Sequence, residues 1–147
     1  MHPFTLNDFV RESNEIEGIN RIDDDDVRAH EYILSEPLSV RSLELFVSLI
    51  QPGAKLRDKI GMDVRVGNHF PPQGGKIIRK NLETLIEIRS TLIPWELHCK
   101  YEDLHPFMDG NGRSGRALWL KAMGGIEKAP LGFLHHFYYQ TLQEGRK

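Results

Sequence analysis

The sequence predicts an all-α domain that carries one small β-hairpin. Three observations predict it. Apolar residues recur at helical spacing through most of the 147 residues. Serine, threonine or aspartate stands where several of these runs begin, and glycine or proline where they end. Only residues 61–75 replace that spacing with alternation and turn chemistry.

Thr5 can cap a first helix, with Asp8 in its first turn. Leu6, Phe9, Val10, Ser13 and Glu17 then share one face, and Gly18 is a stop. A second helix follows Asp23–Asp26, with Val27, His30, Ile33 and Leu34 as its stripe and Pro37 as its end. Aspartates suit a helix start because the macrodipole favours negative charge there. A metal cluster is the sharper and weaker reading of the same run. Ser39 or Ser42 can start a third helix with Leu43, Phe46, Val47 and Ile50, ending at Pro52-Gly53.

Val64-Arg65-Val66 alternates like a short strand, and Gly67-Asn68 and Pro71-Pro72-Gln73-Gly74-Gly75 are turn residues. A fourth helix covers Lys76–Arg89, with Ile77, Leu82, Leu85 and Ile88 apolar. Pro94 suits the first turn of a fifth, which runs to about Leu104. A sixth runs from near Asn111 to Gly124-Gly125, and a seventh from about Pro130 to Gln143. His135-His136 lacks a paired ligand spacing and belongs to that last amphipathic run.

Lysine plus arginine is 19 and aspartate plus glutamate 21, a net charge of −2. That balance argues against a general nucleic-acid binder. The apolar runs fall short of the ~20 residues of a membrane span, and residues 1–5 lack the features of a signal peptide. Cys99 is the one cysteine, so an intramolecular disulfide and a cysteine-based zinc site are excluded. It reads as a buried structural thiol, and a lone cysteine fits the cytoplasm. The expectation is one domain over residues 1–147.

The chemistry concentrates in His105-Pro106-Phe107-Met108-Asp109-Gly110-Asn111-Gly112-Arg113-Ser114-Gly115-Arg116. Gly110 and Gly112 allow a tight loop and close backbone approach. The loop opens a helix, whose free N–H groups and dipole attract anions. Arg113 and Arg116 stand three apart, on one side of that helix. Two arginines over such a nest suit polyphosphate. Asp109 can hold Mg²⁺ shared with phosphate oxygens. His105, with an unperturbed pKa of ~6.5, suits a general base. Each feature alone is ordinary; their conjunction in one short stretch is not.

Two other motif readings fail. Gly110, Gly112 and Gly115 match a dinucleotide-binding spacing, but Tyr101-Glu102-Asp103-Leu104 before them is not a buried strand. A Walker A loop needs Gly-Lys-Ser/Thr, which is missing.

Residues 105–116 resemble the signature of the Fic (filamentation-induced-by-cAMP) family, His-x-Phe-x-Asp/Glu-Gly-Asn-Gly-Arg-x-x-Arg, at every specified position. The resemblance implies a helical domain that moves AMP from ATP to a Ser, Thr or Tyr hydroxyl of a target protein. It implies that His105 takes the hydroxyl proton and Asp109 binds Mg²⁺. Gly110, Asn111 and Gly112 would form the anion hole, and Arg113 and Arg116 would hold phosphates. Phe107 would be a buried anchor. Residues 64–75 are the candidate flap, on which a target segment docks by main-chain pairing. Self-modification and homo-oligomer formation stay open, as do transfer of another nucleotide or phosphate-containing group and a binding module with little turnover.

Glu17 lies on a face of the first helix that otherwise looks buried, so it needs a partner, and Arg116 is the candidate. Ser13-Asn14-Glu15-Ile16-Glu17-Gly18 also resembles the family's inhibitory motif, Ser/Thr-x-x-x-Glu-Gly/Asn. That resemblance implies self-inhibition by Ser13, Glu17 and Gly18 from within the chain.

Overall fold

The computed structural model describes residues 5–129. The expected seventh helix and His135-His136 lie outside them. Among the described residues there are six α-helices: α1 (Leu6–Ile16), α2 (Asp24–Ser35), α3 (Val40–Ile50), α4 (Lys76–Ile88), α5 (Pro94–Leu104) and α6 (Asn111–Met123). No helix among the described residues is long and apolar enough to cross a membrane.

Local chemistry sets the helix ends. The Thr5, Asp23 and Ser39 side chains accept from the amides of Asp8, Asp26 and Ser42, and those three side chains bond back to the cap amides. The acidic run is therefore a helix start: Asp23 caps α2, and Asp26 closes the box. Among the described residues, no group of three His, Cys, Asp or Glu side chains forms a metal cluster. At the end of α1, Gly18 N–H donates to Glu15 O (2.9 Å) and Ile19 N–H to Asn14 O (2.9 Å). This double closure needs a left-handed residue at Gly18, whose φ is +77°.

Helix α6 is the axis. It packs against α5 most extensively, and against α2, α1 and α3. Its residues from Arg113 to Leu120 are all buried. One apolar cluster joins α2–α6 through Leu43, Phe46, Val47, Ile78, Leu82, Leu97 and Leu118. A second seats α1 on α6: Phe9 stacks on Trp119 with ring centroids 6.5 Å apart, beside Leu120. On α4 the buried residues are Ile78, Leu82 and Leu85, spaced four and three apart, whereas Ile77 and Ile88 are exposed.

The expected hairpin is corrected. Residues 61–75 form no strand pair; a single bridge joins Val66 and His69 around Gly67-Asn68. Val66 N–H donates to His69 O (3.0 Å) and His69 N–H to Val66 O (2.8 Å). A second rung, which would pair Val64 with residue 71, is not completed because Pro71 supplies no amide. Cys99 is half-buried instead of buried.

Candidate active site

The loop between α5 and α6 is pinned before it can bind anything. Helix α5 ends at His105, which takes the left-handed conformation (φ 50°, ψ 62°). That is uncommon for a residue with a Cβ and is the kind of strain a surrounding structure must hold. Phe107 is buried and bridges to Leu56. Arg57 N–H donates to Pro106 O (2.9 Å) and Met108 N–H to Lys55 O (2.9 Å). The Asn111 side chain closes the turn from within: it accepts from Phe107 N–H (2.9 Å) and donates to Phe107 O (2.7 Å). Its amide group is thus committed to the loop, so Asn111 offers an anion its backbone N–H.

Gly110 caps α6 at φ +80°, and its N–H donates to the Asp109 carboxylate (2.7 Å). The first-turn amides of Asn111, Gly112 and Arg113 have no carbonyl one helical turn before them, as at any helix start. At Gly112 the backbone passes close to the ion pair: a Cβ there would push the Glu17 carboxylate aside and lie 3.1 Å from Arg116 Nη1. A Cβ on Gly115 would collide with the Glu102 carboxylate and lie 3.2 Å from Tyr101 Cδ1. The third glycine therefore serves close packing of α6 on α5.

A pocket of about 270 Å³ opens between these parts, lined by Glu17, Ile19, Gln51, Met108, His105 and residues 109–113. His105 is half-buried, and burial pushes its imidazole down to about 4. The Arg57 guanidinium and His69 push the same way, against Asp109 and Glu17. Its Nδ1 has no hydrogen-bond partner among the described residues. A neutral imidazole with a free nitrogen can accept a proton at neutral pH. Asp109 is exposed at the mouth.

The two arginines reach different elements. Arg113 donates to Ile50 O (3.1 Å) and Gln51 Oε1 (2.6 Å), at the end of α3. Arg116 turns to α1: Nε donates to Ser13 Oγ (2.8 Å), and Nη2 to Ser13 O (3.0 Å) and Glu17 Oε1 (2.6 Å). The Arg116 side chain is 4% exposed and that of Glu17 40%. The sequence expected a buried carboxylate in need of a cation. The structure reverses this: the buried member is the cation, and Glu17 reaches it from the rim. Asn14, one residue past Ser13, holds α1 to α2 by donating to Arg21 O (3.0 Å) and Asp26 Oδ2 (3.1 Å).

Sequence reasoning missed two residues here. Gln51 orients Arg113, and Arg57, fully buried, donates to His105 O (2.6 Å). Neither has a sequence signature, because one sits just past a helix end and the other in a loop. The Fic/DOC family profile matches residues 22–123. Helix α1, with Ser13, Glu17 and Gly18, lies outside the matched residues.

Proposed function

The chain belongs to the Fic/DOC family, and on that premise we propose that it transfers AMP from ATP to a Ser, Thr or Tyr hydroxyl of a target protein. We also propose that Glu17 inhibits the reaction by holding Arg116. One observation carries this reading. His105, Asp109, the start of α6 and Glu17 all line the same pocket, whereas among the described residues Arg116 lies behind Glu17 and does not line it.

In the reaction, the phosphates of ATP lie on the N–H groups of Asn111 and Gly112, where the helix dipole favours negative charge. Arg113 and Arg116 neutralise the outer phosphates. His105 accepts the proton of the target hydroxyl as its oxygen bonds to the α-phosphorus and the bond to pyrophosphate breaks. Such a transfer needs positioning and charge neutralisation more than covalent help. A single exposed carboxylate, Asp109, fits Mg²⁺, which keeps several waters and takes its other ligands from phosphate. When bound there, the ion would supply charge neutralisation at the phosphates.

The target segment docks on residues 64–75, whose Phe70 is 70% exposed. Glu17 competes with phosphate for Arg116, so α1 acts as part of the same domain, seated by Phe9 on Trp119. The lone Cys99 supports a cytoplasmic protein.

The test uses Glu17→Gly with Mg²⁺ and ATP labelled on either the α- or the γ-phosphate, with cell extract as the source of targets. Protein-bound label from the α-position alone, lost in Glu17→Gly/His105→Ala, is the expected result. Label from the γ-position would make the protein a kinase. Label from neither would set the transfer reading aside in favour of a nucleotide-binding module.

A further inference from the structure

Arg57 is the only fully buried arginine among the described residues, and within ion-pair distance it has no carboxylate there. Its partners are carbonyls. Nη2 donates to Leu104 O (2.9 Å) and Nε to His105 O (2.6 Å). Nη1 donates to Met62 O (3.0 Å) and Pro72 O (2.9 Å), on either side of the Val66–His69 turn. The Arg57 backbone N–H adds Pro106 O (2.9 Å), and Gly75 N–H donates back to Arg57 O (2.9 Å). His69 Nε2 donates to Asp103 O (2.9 Å).

Four consecutive carbonyls, 103 to 106, are therefore satisfied by residues 57 and 69. A helix end leaves such groups orphaned, and water or a terminal glycine satisfies them most simply. Here a charge has been taken out of water for the purpose, which is costly. Only the planar fork of arginine reaches both sides at once. One side is the helix end that sets the backbone of His105. The other is the segment on which the target docks.

We propose that Arg57 is a positioning residue for His105, clamping the docking segment to the carbonyls that end α5 so that the base and the incoming hydroxyl share one frame. This rests on the transfer reaction proposed above. It goes beyond that reading by giving a residue outside residues 105–116 control over the base. A stability role alone would make every property of the protein fall together when Arg57 is changed. A positioning role makes turnover fall while ATP affinity holds, whatever the variant loses in stability.

The experiment compares two variants in the Glu17→Gly background. Arg57→Lys keeps the charge and loses the fork; Arg57→Gln loses the charge and keeps two N–H donors. Melting temperature, Mg·ATP affinity by calorimetry and kcat for label transfer are measured for each. Both variants are expected to melt cooperatively with unchanged ATP affinity. Their kcat is expected to fall about 100-fold, the effect of a misplacement of about 1 Å. Ring-proton NMR titration of His105 gives a reading that needs no turnover. The charged and titratable groups facing His105 are Arg57, His69, Asp109 and, in the parent, Glu17. The His105 midpoint is expected to rise in Arg57→Gln and to hold in Arg57→Lys.

An unchanged kcat overturns the proposal. So does a fall of kcat, ATP affinity and melting temperature in step, and so does failure of both variants to fold, which would assign Arg57 to the fold alone. If Glu17→Gly itself transfers no label, the transfer reading fails separately. The titration then decides on Arg57: a His105 midpoint that stays put in Arg57→Gln overturns its role, and a rise supports it.

Discussion

Arg57 and Arg116 are both buried guanidinium groups beside the same pocket, yet they are held in opposite ways. The Arg57 side chain donates only to carbonyls, spread over three segments of the chain. Arg116 faces Ser13 and one half-exposed carboxylate, all on a single helix. Backbone carbonyls cannot leave without unfolding what carries them. A carboxylate that is 40% exposed can be displaced by another anion. The difference separates a permanent fastening from an exchangeable one, and the proposed function assigns them to the base and to the brake.

The comparison breaks first at Arg57. Arg57→Met orphans four carbonyl bonds made by its side chain. At about 1 kcal/mol for each buried group left unpaired, the variant is expected to lose about 4 kcal/mol. A thermal melt should fall by about 10 °C or more, and a fall under a few degrees would show that water reaches those carbonyls. On the other side, Phe9→Ala removes the ring that seats α1 on Trp119, at a cost of about 3 kcal/mol. Because α1 carries Glu17, this variant is expected to transfer more label while being less stable. A gain in activity without loss of stability would mean that α1 is not held by its apolar face.

The sequence made the second of these regions far more legible than the first. Residues 105–116 are contiguous, and each carries chemistry in its own side chain. Glu17 and Arg116 lie 99 residues apart, but opposite charges on helix faces of known spacing still announce a pairing. The partners of Arg57 do not announce themselves. Every residue has a carbonyl, and those at 104 and 105 lie 47 and 48 positions away. The helices were legible because caps and apolar spacing are local, as at Thr5, Asp23 and Ser39. The hairpin failed for a local reason that alternation hides: Pro71 stands opposite Val64 and withholds its amide, so alternation at Val64 and Val66 never becomes a ladder.

Acid sharpens the comparison further. Burial holds both His30 and His105 down to about 4 from an ordinary 6.5. The unfolded chain therefore binds more protons than the folded one between those values. Stability contributed by the two neutral imidazoles is complete above pH 6.5 and is lost as pH falls toward 4. Chemical denaturation at pH 7, 6 and 5 should show a steady decline in unfolding free energy. Replacing His30, which packs edge-on against Phe46 with ring centroids 4.9 Å apart, is expected to flatten the slope. A pH-independent unfolding free energy would contradict both depressed values.

The smallest stability effect belongs to the contact proposed as a brake. Glu17→Gln leaves Arg116 its two bonds to Ser13 and admits water at the rim. Its cost is expected to be about 1 kcal/mol or less, as for other pairs with a solvent-exposed member. A loss as large as that of Arg57→Met would mean that the pair is part of the permanent frame.

The most direct test of the exchangeable contact is the initial rate of label transfer from α-labelled ATP at Mg·ATP well below its KM, parent against Glu17→Gly. If Glu17 competes with phosphate for Arg116, the variant should run about tenfold faster or more, which corresponds to about 1.4 kcal/mol of barrier. Equal rates from two folded proteins would contradict the account, leaving the contact between Glu17 and Arg116 as a surface ion pair with no hold on the reaction.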